Sequence, residues 1–315
     1  MFALRGIAVS FSVFLLVYCG LSLAVGCVWH KVWLYSQKYP VRRSADLLFA
    51  LRMFPLLAAT AVTAAFTVPS FLLLEPRSID EPLGGIPLAL GVAGFLLMAF
   101  GVVNAALAVL RASRKIAAWL DEAKLVDVSG AVPVLRIARV GPALTAAGIL
   151  RPKVLVSGAA EFVLTRNELE TALRHELAHV RRRDNLKKLA LRLVAFPGMA
   201  GLEKAWLDAT EMAADDAAVF NSVQALDLAA ALIKLSRLAP HAPVELTMAL
   251  VQSPAASVNA RVERLVGWSE ERRVPAQKYS LWYAICAMST MVVACAVTYS
   301  ALLVRVHTAT EWLVR

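Results

Sequence analysis

Two histidines four residues apart, His175 and His179, bracket a carboxylate at Glu176. On a helix, positions i and i+4 project from one face, so both imidazoles can hold one divalent metal. Glu176 then lies beside His175, placed to contact a water that the metal acidifies. It can take that water's proton as the water attacks a peptide carbonyl. The stretch His175-Glu176-Leu177-Ala178-His179 is thus an HExxH pattern, and it uses two of only five histidines in the chain. Such a metal needs a third protein ligand and an open position for water. Glu211, in Asp208-Ala-Thr-Glu211-Met-Ala-Ala-Asp215-Asp216, is the candidate. Ala213, Ala214, Ala217 and Ala218 make its surroundings small and apolar, unlike a solvated acidic helix face. Asp215 shares a helical face with Glu211 and, in preference to Asp216, can accept a hydrogen bond from a ligand histidine and fix its tautomer.

The elements that must carry these groups are legible nearby. Thr165-Arg-Asn-Glu168 is a capping box, so a helix should start just after Thr165. Leu169, Ala172, Leu173, Glu176, Leu177 and Val180 follow at helical spacing. Val132 to Val140 and Lys153 to Ser157 read as strands, the second entered by Pro152. Most of the rest between Arg111 and Lys278 reads as helix, giving an α+β zincin-like domain.

Composition places that domain at a membrane. Hydrophobic residues make up 59% of the 315 and charged residues 18%, against about 45–50% and about 25% in soluble proteins. Apolar stretches from about Gly6 to Trp29, Leu47 to Leu74 (with Arg52 near its start), Ile86 to Leu110 and Leu281 to Val304 are each long enough to span a bilayer, which takes roughly 20 residues. The expected fold is a mostly α membrane protein: a three-helix transmembrane region at 1–111, the peptidase domain at 112–279, a fourth transmembrane helix at 280–304 and a short tail at 305–315. Lys31, Lys38, Arg42 and Arg43 in the first loop, and Arg111, Arg114 and Lys115 after the third span, are basic. The second loop carries Glu75, Asp80 and Glu81 against Arg77. Basic loops face the cytoplasm, so the N-terminus and tail lie outside and the domain inside, in a multi-pass protein of the cell membrane. The formal net charge of +10 is explained by those loops and by lipid headgroups, and direct nucleic-acid binding is not expected. Cys19, Cys27, Cys286 and Cys295 sit in apolar segments and read as small hydrophobes. Leu23-Ala-Val-Gly-Cys27 resembles a lipoprotein cleavage box, but cleavage there would put the basic first loop outside.

Together, His175-Glu-Leu-Ala-His179, Arg182-Arg-Asp184-Asn185 and Glu211-x-x-Ala214-Asp215-Asp216 resemble the BlaR/MecR-type membrane zinc peptidases. Gly148-Ile-Leu-Arg-Pro152 before a strand and Arg261-Val-Glu-Arg264-Leu265 near the end of the domain extend the resemblance, as does the order of three spans, domain and fourth span. The resemblance implies Zn2+ on His175, His179 and Glu211, with Glu176 as general base. It also implies a cytoplasmic-facing peptidase that relays an external signal to a protein substrate, in some members a transcriptional repressor. Antibiotic-sensing relatives carry an external penicillin-binding domain after the last span. Only about a dozen residues follow Val304 here, so β-lactam sensing by that route is unsupported.

Smaller features carry expectations of their own. Arg181 to Arg183 with Lys187 and Lys188 should face anionic lipid. Leu186 to Phe196 reads either as an interfacial amphipathic helix or as a core helix ending at Pro197. Asn104, inside a span, should make an interhelical hydrogen bond. Trp29, Trp33, Trp282 and Tyr283 read as interface anchors, and His241 is a loop histidine whose spacing assigns it nothing. The enzymatic rival is a quality-control or processing peptidase of the HtpX or CAAX type. The non-enzymatic rival is a membrane signalling scaffold, which would have no need of Glu176. A transporter is disfavoured, because paired intramembrane charges and broken helices are lacking.

Overall fold

The computed structural model describes residues 2–76, 84–121, 123–129, 132–137, 142–194, 196–238, 248–249, 255–268 and 298–312. His241 and most of the expected fourth span lie outside them.

Three long rods lead the chain: α1 (Phe2–Ser36); α2 (Val41–Val62), continuing through a π turn (Thr63–Thr67) into α3 (Val68–Leu74); and α4 (Gly85–Leu120). Each is long and apolar enough to cross a membrane, and each contains one of the first three apolar stretches. At 1.5 Å per residue a rod of this length reaches about 50 Å, well beyond the roughly 30 Å hydrocarbon layer. Glycines let α1 and α4 touch. A Cβ on Gly91 would lie 2.7 Å from the Ala8 carbonyl oxygen, and one on Gly94 2.5 Å from that of Phe11. Small residues bring membrane helices together in this way. Large apolar side chains such as Leu73 (70% exposed) and Phe100 (63%) face outward, as a lipid-contacting surface requires. The helix α1 runs unbroken through Leu23 to Cys27.

Beyond Arg111, α4 continues into the second half of the molecule. Its last turns, Ile116, Trp119 and Leu120, pack on Ile137 and Leu155 of a five-stranded sheet. The strands are β1 (Lys124–Ser129), β2 (Val132–Ile137), β3 (Leu144–Ala147), β4 (Lys153–Ser157) and β5 (Met248–Ala249). Their order is β1-β2-β4-β3-β5, antiparallel except between β2 and β4. The β-branched run Lys153-Val-Leu-Val-Ser157 forms the buried central strand. After α5 (Gly158–Val163) comes α6 (Arg166–Arg182), opened by the capping box: Thr165 accepts from the Glu168 N–H and Glu168 accepts from the Thr165 N–H. Ala172 and Leu177 of α6 pack with Val154, Val156 and the inner face of α9 (Ser222–Arg237).

Between them, α7 (Asp184–Leu193) and α8 (Ala200–Ala218) are built into the rods. Trp206 of α8 is 1% exposed and shares a core with Phe14, Tyr18 and Leu48 of α1 and α2. Arg52 of α2 donates from Nε to Glu203 Oε1 at 3.0 Å and from Nη2 to the Val194 carbonyl at 2.7 Å. Helix α7 ends at Leu193, short of the expected stop at Pro197, and Leu191 and Val194 are buried in that same core. A Cβ on Gly101 of α4 would meet the Leu193 carbonyl oxygen at 2.5 Å, and Asn104 donates to the Arg192 carbonyl at 3.3 Å. Of the basic cluster, Lys187 and Arg182 reach Asp46 at the start of α2, at 3.0 and 3.8 Å. Trp29 packs on Gly201 of α8.

Candidate active site

His175 and His179 stand one turn apart on α6, with their Nε2 atoms 3.0 Å from each other. Their other ring nitrogens are each held by a carboxylate. His175 Nδ1 lies 2.9 Å from Asp215 Oδ1 on α8, and His179 Nδ1 lies 2.8 Å from Asp184 Oδ2 at the start of α7. A carboxylate accepts from an Nδ1–H, which leaves each Nε2 as the lone-pair nitrogen. Two such lone pairs facing at 3.0 Å repel unless a cation lies between them. Glu211 of α8 completes the cluster, its Oε2 3.6 Å from His175 Nε2 and its Oε1 3.7 Å from His179 Nε2. Ligand atoms of His175, His179 and Glu211 all lie within 4.8 Å of one another, and none of the three residues is more than 5% exposed.

Burial opposes charge on His175, but contacts with Asp215 and Glu211 raise its pKa to about 9. Burial lowers the pKa of His179. Burial would raise Glu211, yet Arg261 and the two histidines hold it at about 2. Asp215 is pushed well below its ordinary value against its own burial by the same arginine. Arg261, on α10 (Ala255–Val266), donates twice to Asp215, at 2.8 and 2.6 Å, and once to Glu211 Oε2 at 2.9 Å. Such a two-pronged contact fixes both carboxylates in plane as well as in charge. Asp216 faces the other way and pairs with Arg264 at 2.6 Å.

Glu176 is completely buried, and its Oε2 accepts a 2.7 Å hydrogen bond from the Ala146 N–H of β3. Asn185 ties the same strand to α7 by donating to the Ala146 and Gly148 carbonyls, both at 3.0 Å. Gly148 has φ +92, and a Cβ there would sit 2.9 Å from the Arg151 carbonyl oxygen, so only glycine fits this turn. A cavity of about 310 Å³ opens between that turn and the end of α6, bordered by Ile149, Pro152, His179 and Asp184. Lys188, one turn past Asp184, keeps some solvent contact, but burial draws its ammonium down to about 8 despite the nearby carboxylates.

Residues 146–260 match the model of peptidase family M48. The matched segment begins at Ala146, the residue whose N–H holds Glu176. It takes in the HExxH turn, Asp184, Glu211 and Asp215, and it stops one residue before Arg261. The match supports a metallopeptidase domain, and the span-like helices joined to it support a membrane protein. A search among curated proteins finds no match.

The structure brings together every site residue singled out from sequence: His175, Glu176, His179, Glu211 and Asp215. Two partners had no assigned role. Asp184 reaches His179 because α6 ends on Arg183 in the left-handed region, φ 54, the one non-glycine with positive φ among the described residues. An acid just past the helix that carries the histidines was the available signal. Arg261 comes from 46 residues beyond Asp215, and nothing in spacing links the two. The stretch Arg261-Val-Glu-Arg264-Leu265, part of the family resemblance but given no role, was the available signal.

Proposed function

We propose that this protein is a membrane-embedded zinc metalloendopeptidase, hydrolysing peptide bonds of a protein substrate at a cytoplasmic site in regulated proteolysis. The observation that carries the reading is the pair of Nε2 atoms 3.0 Å apart, with each opposite ring nitrogen held by its own carboxylate. Two imidazoles and one carboxylate form an N/O set suited to zinc and leave a position open. Zinc held by His175, His179 and Glu211 would supply Lewis acidity to the scissile carbonyl and the attacking water. Glu176 accepts the proton of that water and later returns it to the leaving amine. Its orientation is preset by the Ala146 N–H, and its burial keeps bulk water from competing. Asp215 and Asp184 keep both ring protons on Nδ1, and Arg261 keeps Glu211 ionised and aimed. The cytoplasmic placement rests on the basic first loop and the basic exit of α4. The signalling role and a repressor substrate rest on the BlaR/MecR-type resemblance; the M48 match does not extend to the spans.

The test is elemental analysis of purified wild-type protein and Glu211→Ala, with peptide hydrolysis by wild type and Glu176→Gln. Zinc at this site lost in Glu211→Ala, and hydrolysis lost in Glu176→Gln with zinc kept, supports the enzyme. A folded wild type without zinc, or unchanged hydrolysis in Glu176→Gln, removes it.

A further inference from the structure

A second group of metal-binding side chains lies at the other end of the helical rods. Arg5 precedes Trp29, which touches α8, by 24 residues of unbroken helix, about 36 Å at 1.5 Å per residue. There Arg5 Nη1 meets Glu75 Oε1 at 2.9 Å, just past the end of α3. The remaining partners come from residues 298–312, which form a further helix, α11. His307 Nδ1 lies 3.9 Å from Glu75 Oε2, and His307 Nε2 lies 3.5 Å from Glu311 Oε1.

The helix α11 is fixed where it stands. The Tyr299 hydroxyl donates to the Ala65 carbonyl at 2.7 Å, and its ring packs on Phe66 at 5.7 Å. Ala65 is inside the π turn, where the irregular ladder gives a backbone carbonyl room for an outside donor. His307 therefore faces Glu75 from a helix anchored about two turns away, on the same rod that Glu75 ends.

We propose that Glu75, His307 and Glu311 form a second divalent-metal site that clamps α11 to the end of α3. One ligand atom from each lies within 4.8 Å of the others. In a tetrahedral zinc site those separations are roughly 3.3 Å, so the side chains need close by only an ångström or so. His307 and Glu311 repeat the i, i+4 arrangement of His175 and His179, with Glu75 as the ligand from a second element. Arg5 does not empty the site of charge. It balances Glu75 and pins Oε1, which leaves Oε2 turned toward His307, and Glu311 adds a second negative charge. The two carboxylates therefore outnumber the one arginine beside them. Imidazole beside carboxylate selects zinc, nickel or copper over calcium or magnesium. Glu75 and His307 are 8% and 16% exposed at the side chain and Glu311 42%, so an ion could enter from solvent. The proposal is independent of the peptidase reading.

The experiment counts zinc by equilibrium dialysis on the full-length protein in detergent. Wild type should bind two ions per chain, and His307→Ala should bind one, with the second ion weakened at least tenfold. Glu211→Ala should lose the other ion and keep this one, so failure at one site cannot be mistaken for failure at the other. Glu311→Gln, at a partly exposed position that does not threaten the fold, should also weaken the second ion. His30→Ala, on an exposed face of α1, should bind as wild type does, and excess calcium should not displace the ion. Unchanged binding in both His307→Ala and Glu311→Gln, or no ion left in Glu211→Ala, overturns the proposal and leaves an ion-pair network around Arg5.

Discussion

Two histidine–carboxylate clusters occupy opposite ends of this molecule, and they differ in what surrounds them. Around His175 and His179 the ring nitrogens lie against carboxylates of α7 and α8, Glu176 is held from β3, and exposure stays at or below 5%. Around His307 the side chains are partly wet, and the ring nitrogens stand 3.9 and 3.5 Å from their carboxylates, against 2.9 and 2.8 Å between the buried Nδ1 atoms and Asp215 and Asp184. The i, i+4 geometry is common to both. Charges that water screens at one end must be compensated by protein at the other, and that compensation fixes where each lone pair points. Catalysis needs such preorganisation, whereas a structural clamp can assemble around its ion.

The largest effect should come from removing the buried base. Glu176→Gln keeps the shape and the hydrogen bond from Ala146 but cannot take a proton. The turnover of a peptide substrate should fall by about 10²–10⁴, with zinc content unchanged. Arg261→Ala comes next. It leaves the buried Asp215 and Glu211 without their guanidinium, which costs about 3–5 kcal/mol. Urea unfolding should show it as a shifted midpoint. Glu311→Ala at the wetter cluster, where the side chain is 42% exposed, should shift that midpoint far less, and equal losses would dissolve the contrast between the two ends.

Much of the dry site was legible because its parts are local. The capping box set the start of α6, helical period put His175 and His179 on one face, and the alanines around Glu211 marked its helix as buried. What stayed hidden depended on chain reversal or long range. Asp184 returns to His179 only through the left-handed Arg183. Arg261 meets Asp215 only because α10 packs on α9. The rods were read as spans, but a hydropathy window carries no information on what lies against them. So the sequence could not announce that Trp206 of the peptidase segment buries itself among α1 and α2, nor that Arg52 is held by Glu203. Polar side chains inside apolar stretches were the readable trace of that docking.

A smaller effect separates the two clusters through their outer partners. Asp184→Ala frees the His179 ring and removes the acceptor that keeps its proton on Nδ1. Zinc affinity should weaken by about 10–100-fold, read by competition with a chelator. The distal ion should not respond. Acidity gives a parallel handle. In the metal-free protein His175 titrates near 9, above its ordinary 6.5. A raised pKa stabilises the fold fully below the unfolded value and loses that contribution as pH climbs through the folded one. The metal-free protein should therefore lose thermal stability from about pH 6.5 to 9. Over the same window zinc should bind more tightly, since it must displace that proton. Asp215→Asn should flatten both slopes, because the acceptor that holds the proton on His175 is gone.

The smallest expected effect is at Glu311. Its pair with His307 is 3.5 Å long and its side chain is 42% exposed, so water screens most of the attraction and Glu311→Gln should cost less than about 1 kcal/mol in chelator. Adding zinc should enlarge the difference, because an ion that binds only the folded chain stabilises it by about 2.7 kcal/mol at a hundredfold excess over its dissociation constant. That gain should appear in wild type and shrink in Glu311→Gln, with the contribution of the buried site common to both. A difference already full in chelator would mean that protein partners hold this cluster as tightly as the buried one. The contrast between a preorganised site and an ion-assembled one would then fail at the distal end.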